Sequence, residues 1–97
     1  MSMAVILTFS IKPERAEEFR SLLKRLLPNT RAFEGCHRVD VYSTRTIPAI
    51  SMWSKNWESK EHQQRCRDWR DETGIAETLG PFLVSEPRIN YFYKQDI

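Results

Sequence analysis

Apolar residues alternate with small or polar ones in four segments of the chain, at residues 3–11, 36–43, 50–57 and 88–94. Alternation of this kind predicts β-strands, because successive side chains on a strand point to opposite faces. Between the first two strands, apolar residues from Ala16 to Leu27 recur every three or four positions. This spacing predicts an amphipathic helix that begins at Pro13, a residue well suited to a first helical position. Pro28 is expected to kink or end that helix, and Gly35 to close the segment in a left-handed conformation.

A second helix is predicted from Ser59, whose hydroxyl can cap it, to about Trp69, with a possible extension to Gly74. Its inward-facing candidates are few, chiefly Cys66 and Trp69. So thin an apolar stripe indicates that the helix covers its neighbours incompletely or borders a polar-lined cavity. A turn is expected over residues 44–48, and a short helical piece over residues 75–83 is broken at Gly80.

The predicted order is strand, helix, strand, strand, helix, strand. This order predicts an α+β fold of the ferredoxin-like βαββαβ type, with both helices on one face of an antiparallel sheet. The opposite sheet face would then be uncovered in a monomer. A homodimer formed by two-fold symmetry is the simplest way to cover it.

The composition limits the classes of function. The 97 residues predict a single domain, residues 1–97, and the formal charge of +2 comes from 15 basic and 13 acidic residues that are scattered along the chain. We therefore expect no nucleic-acid partner. No apolar run could span a membrane, and the first strand does not resemble a signal peptide, so we expect a cytoplasmic protein without a membrane partner. The cysteines lack zinc-site spacing, and no metal is expected.

Two tryptophans are the main candidates for a ligand site. Trp53 and Trp57 are four residues apart and share one strand face with Lys55. Trp57 stands where a strand ends and a helix begins, a common place for a cleft. Packing in a core or an interface is the alternative for both indoles.

The candidate catalytic residues each have a structural alternative. His37 could act as a base at a cavity wall or be a hydrogen-bonded strand residue. His62, in the first turn of a polar helix, could act as a base or simply face solvent. Arg70 could bind a carboxylate or phenolate, or pair with a surface glutamate. Trp69 could line a cavity or belong to the core.

Several short motifs, in this order and spacing, resemble those of the antibiotic biosynthesis monooxygenase domain family. The resemblance covers essentially the whole chain. The matching motifs are Lys12-Pro13-Glu14 after the first strand, Glu34-Gly35-Cys36, Asn56-Trp57-Glu58-Ser59, and Glu86-Pro87-Arg88-Ile89.

The resemblance implies a dimeric α+β barrel with a small-molecule cavity in each subunit, between the sheet and the helices. Several members oxygenate phenols or quinols with dioxygen and no metal or flavin, so it implies a cofactor-independent monooxygenase. In that scheme His37 or His62 would accept a proton and Arg70 would stabilise negative charge. The residues expected to contact the substrate are Trp57, Trp53, Trp69 and Cys66.

The chain departs from the aromatic-oxidising members at three positions. Trp53 stands where they carry an asparagine, Gln63 where they carry an aromatic residue, and Cys66 where a histidine is common. A dimeric ligand-binding or stress-related module without catalysis is therefore an alternative. A cavity plugged by Trp53, Trp69 and Phe82 would favour that alternative. An isomerase-like enzyme of small metabolites is a third.

Overall fold

The structure, a computed structural model, describes residues 2–44 and 50–97. The predicted order of elements is confirmed. Most of the turn predicted at residues 44–48 lies outside the described residues. The elements are β1 (Met3–Ser10), α1 (Ala16–Arg31), β2 (Cys36–Ser43), β3 (Ile50–Trp57), α2 (Lys60–Glu72), α3 (Ile75–Leu79) and β4 (Arg88–Tyr93), with 3-10 turns at Pro13–Arg15 and Gly80–Phe82.

The described strands form one antiparallel sheet in the order β2-β3-β1-β4. Side chains of β1 and β3 alternate between two faces, and those that face the helices are the more buried. Phe9 and Trp53 pack there against α1, while Val5 and Trp57 pack against Cys66 of α2. Both long helices therefore cover the same face of the sheet, which confirms the predicted ferredoxin-like α+β arrangement.

The apolar core consists of two clusters rather than one. The first joins α1 to the sheet through aromatic contacts, with 4.4 Å between the ring centroids of Phe9 and Trp53. The second is built around Trp57 beneath α2. Leu7, in the middle of β1, packs against both clusters but is itself only half-buried. The core is thus divided near the centre of the sheet.

The first helix continues through Pro28 and ends at Arg31. Pro28 lacks the N–H that would donate to the carbonyl four residues earlier, but it lies in the last turn, so only the end of the helix is affected and the helix ends three residues later. Gly35 then adopts φ 85°, the left-handed conformation predicted for it, in the turn that leads into β2.

The pairing of β2 with β3 departs from simple alternation at His37. Cys36 lies opposite Trp57 and Arg38 opposite Asn56, so His37 is an extra residue with no partner on β3. Simple alternation would place His37 on the same face as Val39. An inserted residue shifts the alternation, and Cys36 is brought to the helix-facing side instead.

The sheet face turned away from the helices lacks a covering layer within the described residues. It carries apolar side chains on several strands, including Ile6 and Met52 near the centre and the exposed Tyr42 and Phe92 at the two edge strands. An uncovered apolar sheet face of this kind is typical of an interaction surface.

Gly35 is predicted to be essential for the packing of the first turn of α2. A Cβ at this position would lie 2.2 Å from Cγ of His62, and the positive φ is unfavourable for other residues. We expect Gly35→Ala to lower the free energy of unfolding by about 1–3 kcal/mol, measured by urea denaturation.

Gly80→Ala is the matched control for that substitution. Gly80 has φ −48°, and its added Cβ would meet no atom within 4 Å. We expect it to be neutral or to stabilise the protein by up to about 1 kcal/mol. Equal losses for the two variants would contradict the proposed role of Gly35.

Candidate functional site

A cavity of about 520 Å³ lies between the sheet and the helices, in the size range of small-molecule sites. Its walls come from β1, β3, α1, α2 and the segment between α3 and β4. Most of the lining is apolar and includes Val5, Leu7, Leu26, Trp53, Trp57 and Leu83.

The cavity exists because α2 does not fill the space above the middle of the sheet. Its buried residues are Gln63 and Cys66, a polar and a small side chain. Both line the cavity, and Leu7 faces it from the sheet below. The thin apolar stripe of this helix, noted in the sequence, therefore borders a cavity rather than a packed core.

The two tryptophans on β3 both line the cavity but differ in hydrogen bonding. Trp53 Nε1 donates to Ser51 Oγ at 3.0 Å. Trp57 is 2% exposed, and its buried Nε1–H has no acceptor among the described residues. Leaving a buried donor unpaired costs about 1–3 kcal/mol, so such groups are uncommon in folded proteins. The Nε1 atom itself has less than 1 Å² of accessible surface, so the Trp57 ring borders the cavity while its N–H is closed to a ligand in this arrangement.

Lys55 lies on β3 between these tryptophans, opposite Val5 of β1, and lines the cavity. Its ammonium is 5.2 Å from the centroid of the Trp53 ring and makes no ion pair with a described carboxylate. Burial in this apolar setting lowers the pKa of Lys55, the nearby thiol groups oppose that change, and Arg70 adds to it. Lys55 is not among the site residues predicted from the sequence, although alternation with the two indoles indicated its face.

Arg70 brings a second cation to the cavity and is held in place from both sides. Its Nη2 donates to the Leu26 carbonyl and to Thr30 Oγ1 on α1, each at 2.6 Å, and its guanidinium lies 4.5 Å from the Trp69 ring centroid. Desolvation by burial lowers the pKa of Arg70. A guanidinium carries five N–H donors, so those on Nε and Nη1 are left for a ligand.

Cys66 lines the cavity as a buried thiol. Burial raises the pKa of both Cys66 and Cys36, although Lys55 acts in the opposite direction. Both groups therefore stay protonated at neutral pH, which makes them poor nucleophiles. Cys66 contributes shape rather than reactivity to the site.

The predicted histidines lie outside the cavity lining. His37 is exposed on β2, at the register shift. His62 is held at the start of α2, with Nδ1 2.6 Å from Ser59 Oγ and Nε2 3.5 Å from a Glu58 carboxylate oxygen. These contacts give His62 a structural role at the junction between β3 and α2.

Trp69 also lies outside the lining. Its ring packs against Phe33, with 5.6 Å between the centroids, and supports Arg70 from behind. The structure thus brings four of the residues predicted from the sequence together around the cavity, namely Trp53, Trp57, Cys66 and Arg70.

Across residues 2–44 and 50–97, no three His, Cys, Asp or Glu side chains are grouped closely enough to hold a metal ion. None of the described helices has the length and apolarity needed to cross a bilayer.

A family model for antibiotic biosynthesis monooxygenase matches residues 2–74. A solved structure of a conserved protein from Methanosarcina mazei is similar, with 26% identity, a TM-score of 0.87, and coverage of 98% of this chain and 94% of that chain. Rv0793 from Mycobacterium tuberculosis is 21% identical, with a TM-score of 0.85 and coverage of 100% and 98%. A Deinococcus radiodurans protein named for the same family is 20% identical, with a TM-score of 0.85 and coverage of 100% and 95%. No curated protein matches this chain in sequence.

Lys55→Met is predicted to stabilise the protein at pH 7, because it removes a desolvated charge. The folded-state pKa of Lys55 lies below 10.5, so the unfolded chain binds this proton more tightly. Wild-type stability should therefore rise with pH through the interval below 10.5, and the advantage of the variant should shrink there. Urea denaturation of both proteins across this interval tests the expectation.

Lys94→Met, at an exposed lysine after β4, is the control and should leave stability nearly unchanged. Cys36, Cys66 and Arg70 also act electrostatically on Lys55, so the quantity to compare is the difference in stability between wild type and Lys55→Met at each pH. A variant less stable than wild type by the same amount at every pH would contradict the prediction.

Proposed function

The chain belongs to the antibiotic biosynthesis monooxygenase family, and from this premise we propose that it oxygenates a small phenolic or quinol-type substrate with dioxygen and without a cofactor. The observation that carries the proposal is the apolar cavity of about 520 Å³ that Arg70 lines with a positive charge held in place by α1. Apolar walls suit an aromatic ring, and the fixed polar groups suit the oxygen atoms attached to it.

The proposed reaction needs no external reductant. A phenol that gains one oxygen atom at a ring C–H position and becomes a quinone loses four electrons, and these reduce dioxygen. One oxygen atom forms the new carbonyl and the other leaves as water. The ring thus supplies all the electrons, first from its phenolate form, which is the electron-rich species.

The described residues support this reaction mainly through charge and hydrogen bonding. Arg70, held by Leu26 and Thr30, would favour ionisation of the phenol and stabilise the phenolate. The sequence proposed His37 or His62 as the proton acceptor, and neither lines the cavity. In our proposal the phenolic proton therefore passes to solvent, and the positive charge of Arg70 favours this ionisation.

Oxygen uptake by metal-free protein with a panel of quinols tests the proposal, after subtraction of substrate autoxidation. Arg70→Gln keeps a polar side chain but removes the positive charge. We expect kcat/KM to fall by about 10- to 100-fold, the size of one lost hydrogen bond to a charged group. Arg65→Gln, at an exposed arginine of α2 outside the cavity lining, is the matched control and should leave kcat/KM nearly unchanged.

Uptake no faster than autoxidation with every quinol would contradict the enzymatic proposal. Ligand binding under those conditions would instead indicate the alternative, a ligand-binding module without catalysis. The cavity remains open beside Trp53, since neither Trp69 nor Phe82 lines it. A cavity plugged by Trp53, Trp69 and Phe82 would favour that alternative, and this cavity is not plugged in that way.

We also propose that the protein is a homodimer joined through the uncovered sheet face. Phe92→Glu places a charge on that face, and burying an unpaired charge is costly. We expect the dissociation constant of the dimer, measured by analytical ultracentrifugation, to rise at least about tenfold, which is equivalent to about 1.4 kcal/mol. Ile97→Glu, at an exposed apolar residue after β4, is the control. A wild-type monomer, or equal effects of the two variants, would contradict the proposal.

We also propose that the protein is cytoplasmic. Cys36 and Cys66 are both free thiols, as expected in a reducing compartment.

A further inference from the structure

We propose that Lys55 and Arg70 form an anion subsite in the cavity, which selects an apolar aromatic ligand that carries a carboxylate or a phenolate. This inference rests on the proposed function in using the same cavity, and it adds the charge of the ligand. It depends on the position of the two cations, on their lack of nearby carboxylates and on the apolar walls around them.

The two cations reach the cavity from opposite layers of the fold. Lys55 belongs to β3 in the sheet, and Arg70 belongs to α2 in the helical layer. They are close enough for the charge of Arg70 to disfavour the charged form of Lys55. A ligand between the sheet and the helices could therefore be approached by both.

No described carboxylate neutralises either cation. The ion pairs among the described residues join Arg15 to Glu18, Arg38 to Asp40 and His62 to Glu58. Asp71 and Glu86 also border the cavity, but both are exposed and neither pairs with Lys55 or Arg70. Like charges that face a shared apolar space without a counter-ion destabilise the empty protein. A bound anion would remove that cost, which favours an anionic ligand over a neutral one.

The surroundings of Lys55 specify the rest of the ligand. Trp53 and Trp57 flank it on the same strand face, and Val5 lies opposite across β1. Aromatic and aliphatic walls with donors grouped in one region suit a ring system that bears one anionic oxygen group.

Isothermal titration with 2-naphthoate and 2-naphthamide tests the carboxylate form of the ligand. These probes share the ring and differ in charge. We expect wild type to bind naphthoate about 10- to 100-fold more tightly than naphthamide, the range for hydrogen bonds to charged groups. Lys55→Met should lose most of this preference, and Lys55→Arg should retain it because the charge remains.

A second arm tests the phenolate form with 4-nitrophenol, whose ionised form absorbs visible light. A cationic subsite stabilises the phenolate, so binding to wild type at slightly acidic pH should increase this absorbance. Lys55→Met should reduce the increase. The two arms thus show whether the subsite accepts a carboxylate, a phenolate or both.

Lys94→Met, outside the cavity lining, is the control for a general change of protein charge. Circular dichroism of each variant confirms folding, and Lys55→Arg keeps the test valid if Lys55→Met does not fold. Equal affinities of wild type for both naphthalenes, an unchanged preference in Lys55→Met, or no binding of either probe would overturn the anion subsite.

The outcome is independent of oxygenation, because binding is measured without turnover. Preference for naphthoate without oxygen uptake from any quinol would support the subsite and contradict the monooxygenase. Oxygen uptake with neutral quinols and no preference for anions would support the monooxygenase and contradict the subsite.

Discussion

Antiparallel pairing of β1 with β3 is the constraint on which the rest of the structure depends. The pairing joins the two central strands of the sheet and sets Leu7 opposite Trp53 and Val5 opposite Lys55. A shift of one residue would turn the indoles and Lys55 to the uncovered face. Both apolar clusters, the cavity between the helices and the sheet, and the proposed anion subsite all depend on this register.

The cavity follows from the composition of α2 as much as from the sheet. A helix with larger apolar residues at the positions of Gln63 and Cys66 would fill the space beneath it and join the two clusters into one core. With these side chains, the helix is anchored mainly at its ends. Ser59 caps its beginning, and Arg70 ties its last turns to α1. Stability thus comes from the periphery of the cavity, and the centre stays available for a ligand.

The polar and charged groups that line this cavity differ in whether they have a partner. Trp53 and Arg70 have partners that fix their orientation, whereas the Lys55 ammonium makes no ion pair with a described carboxylate. A binding site needs side chains that are held in place and charges that are left free for the ligand. The cost of desolvating these charges is then already part of folding and is not added when the ligand binds. This pattern links the family of the chain to a concrete expectation about its ligand.

The sequence by itself determined the order of elements, the helix-facing row of Trp53, Lys55 and Trp57, and the incomplete apolar stripe of α2. These are local properties, since alternation and helical spacing depend on neighbours along the chain. Only the tertiary structure decided that an extra residue at His37 shifts β2, that His62 supports a strand-to-helix junction, and that Lys55 and Arg70 line one cavity without an ion pair to a described carboxylate. Register shifts and contacts between layers join residues distant in sequence, and the order of residues alone does not specify which of them meet.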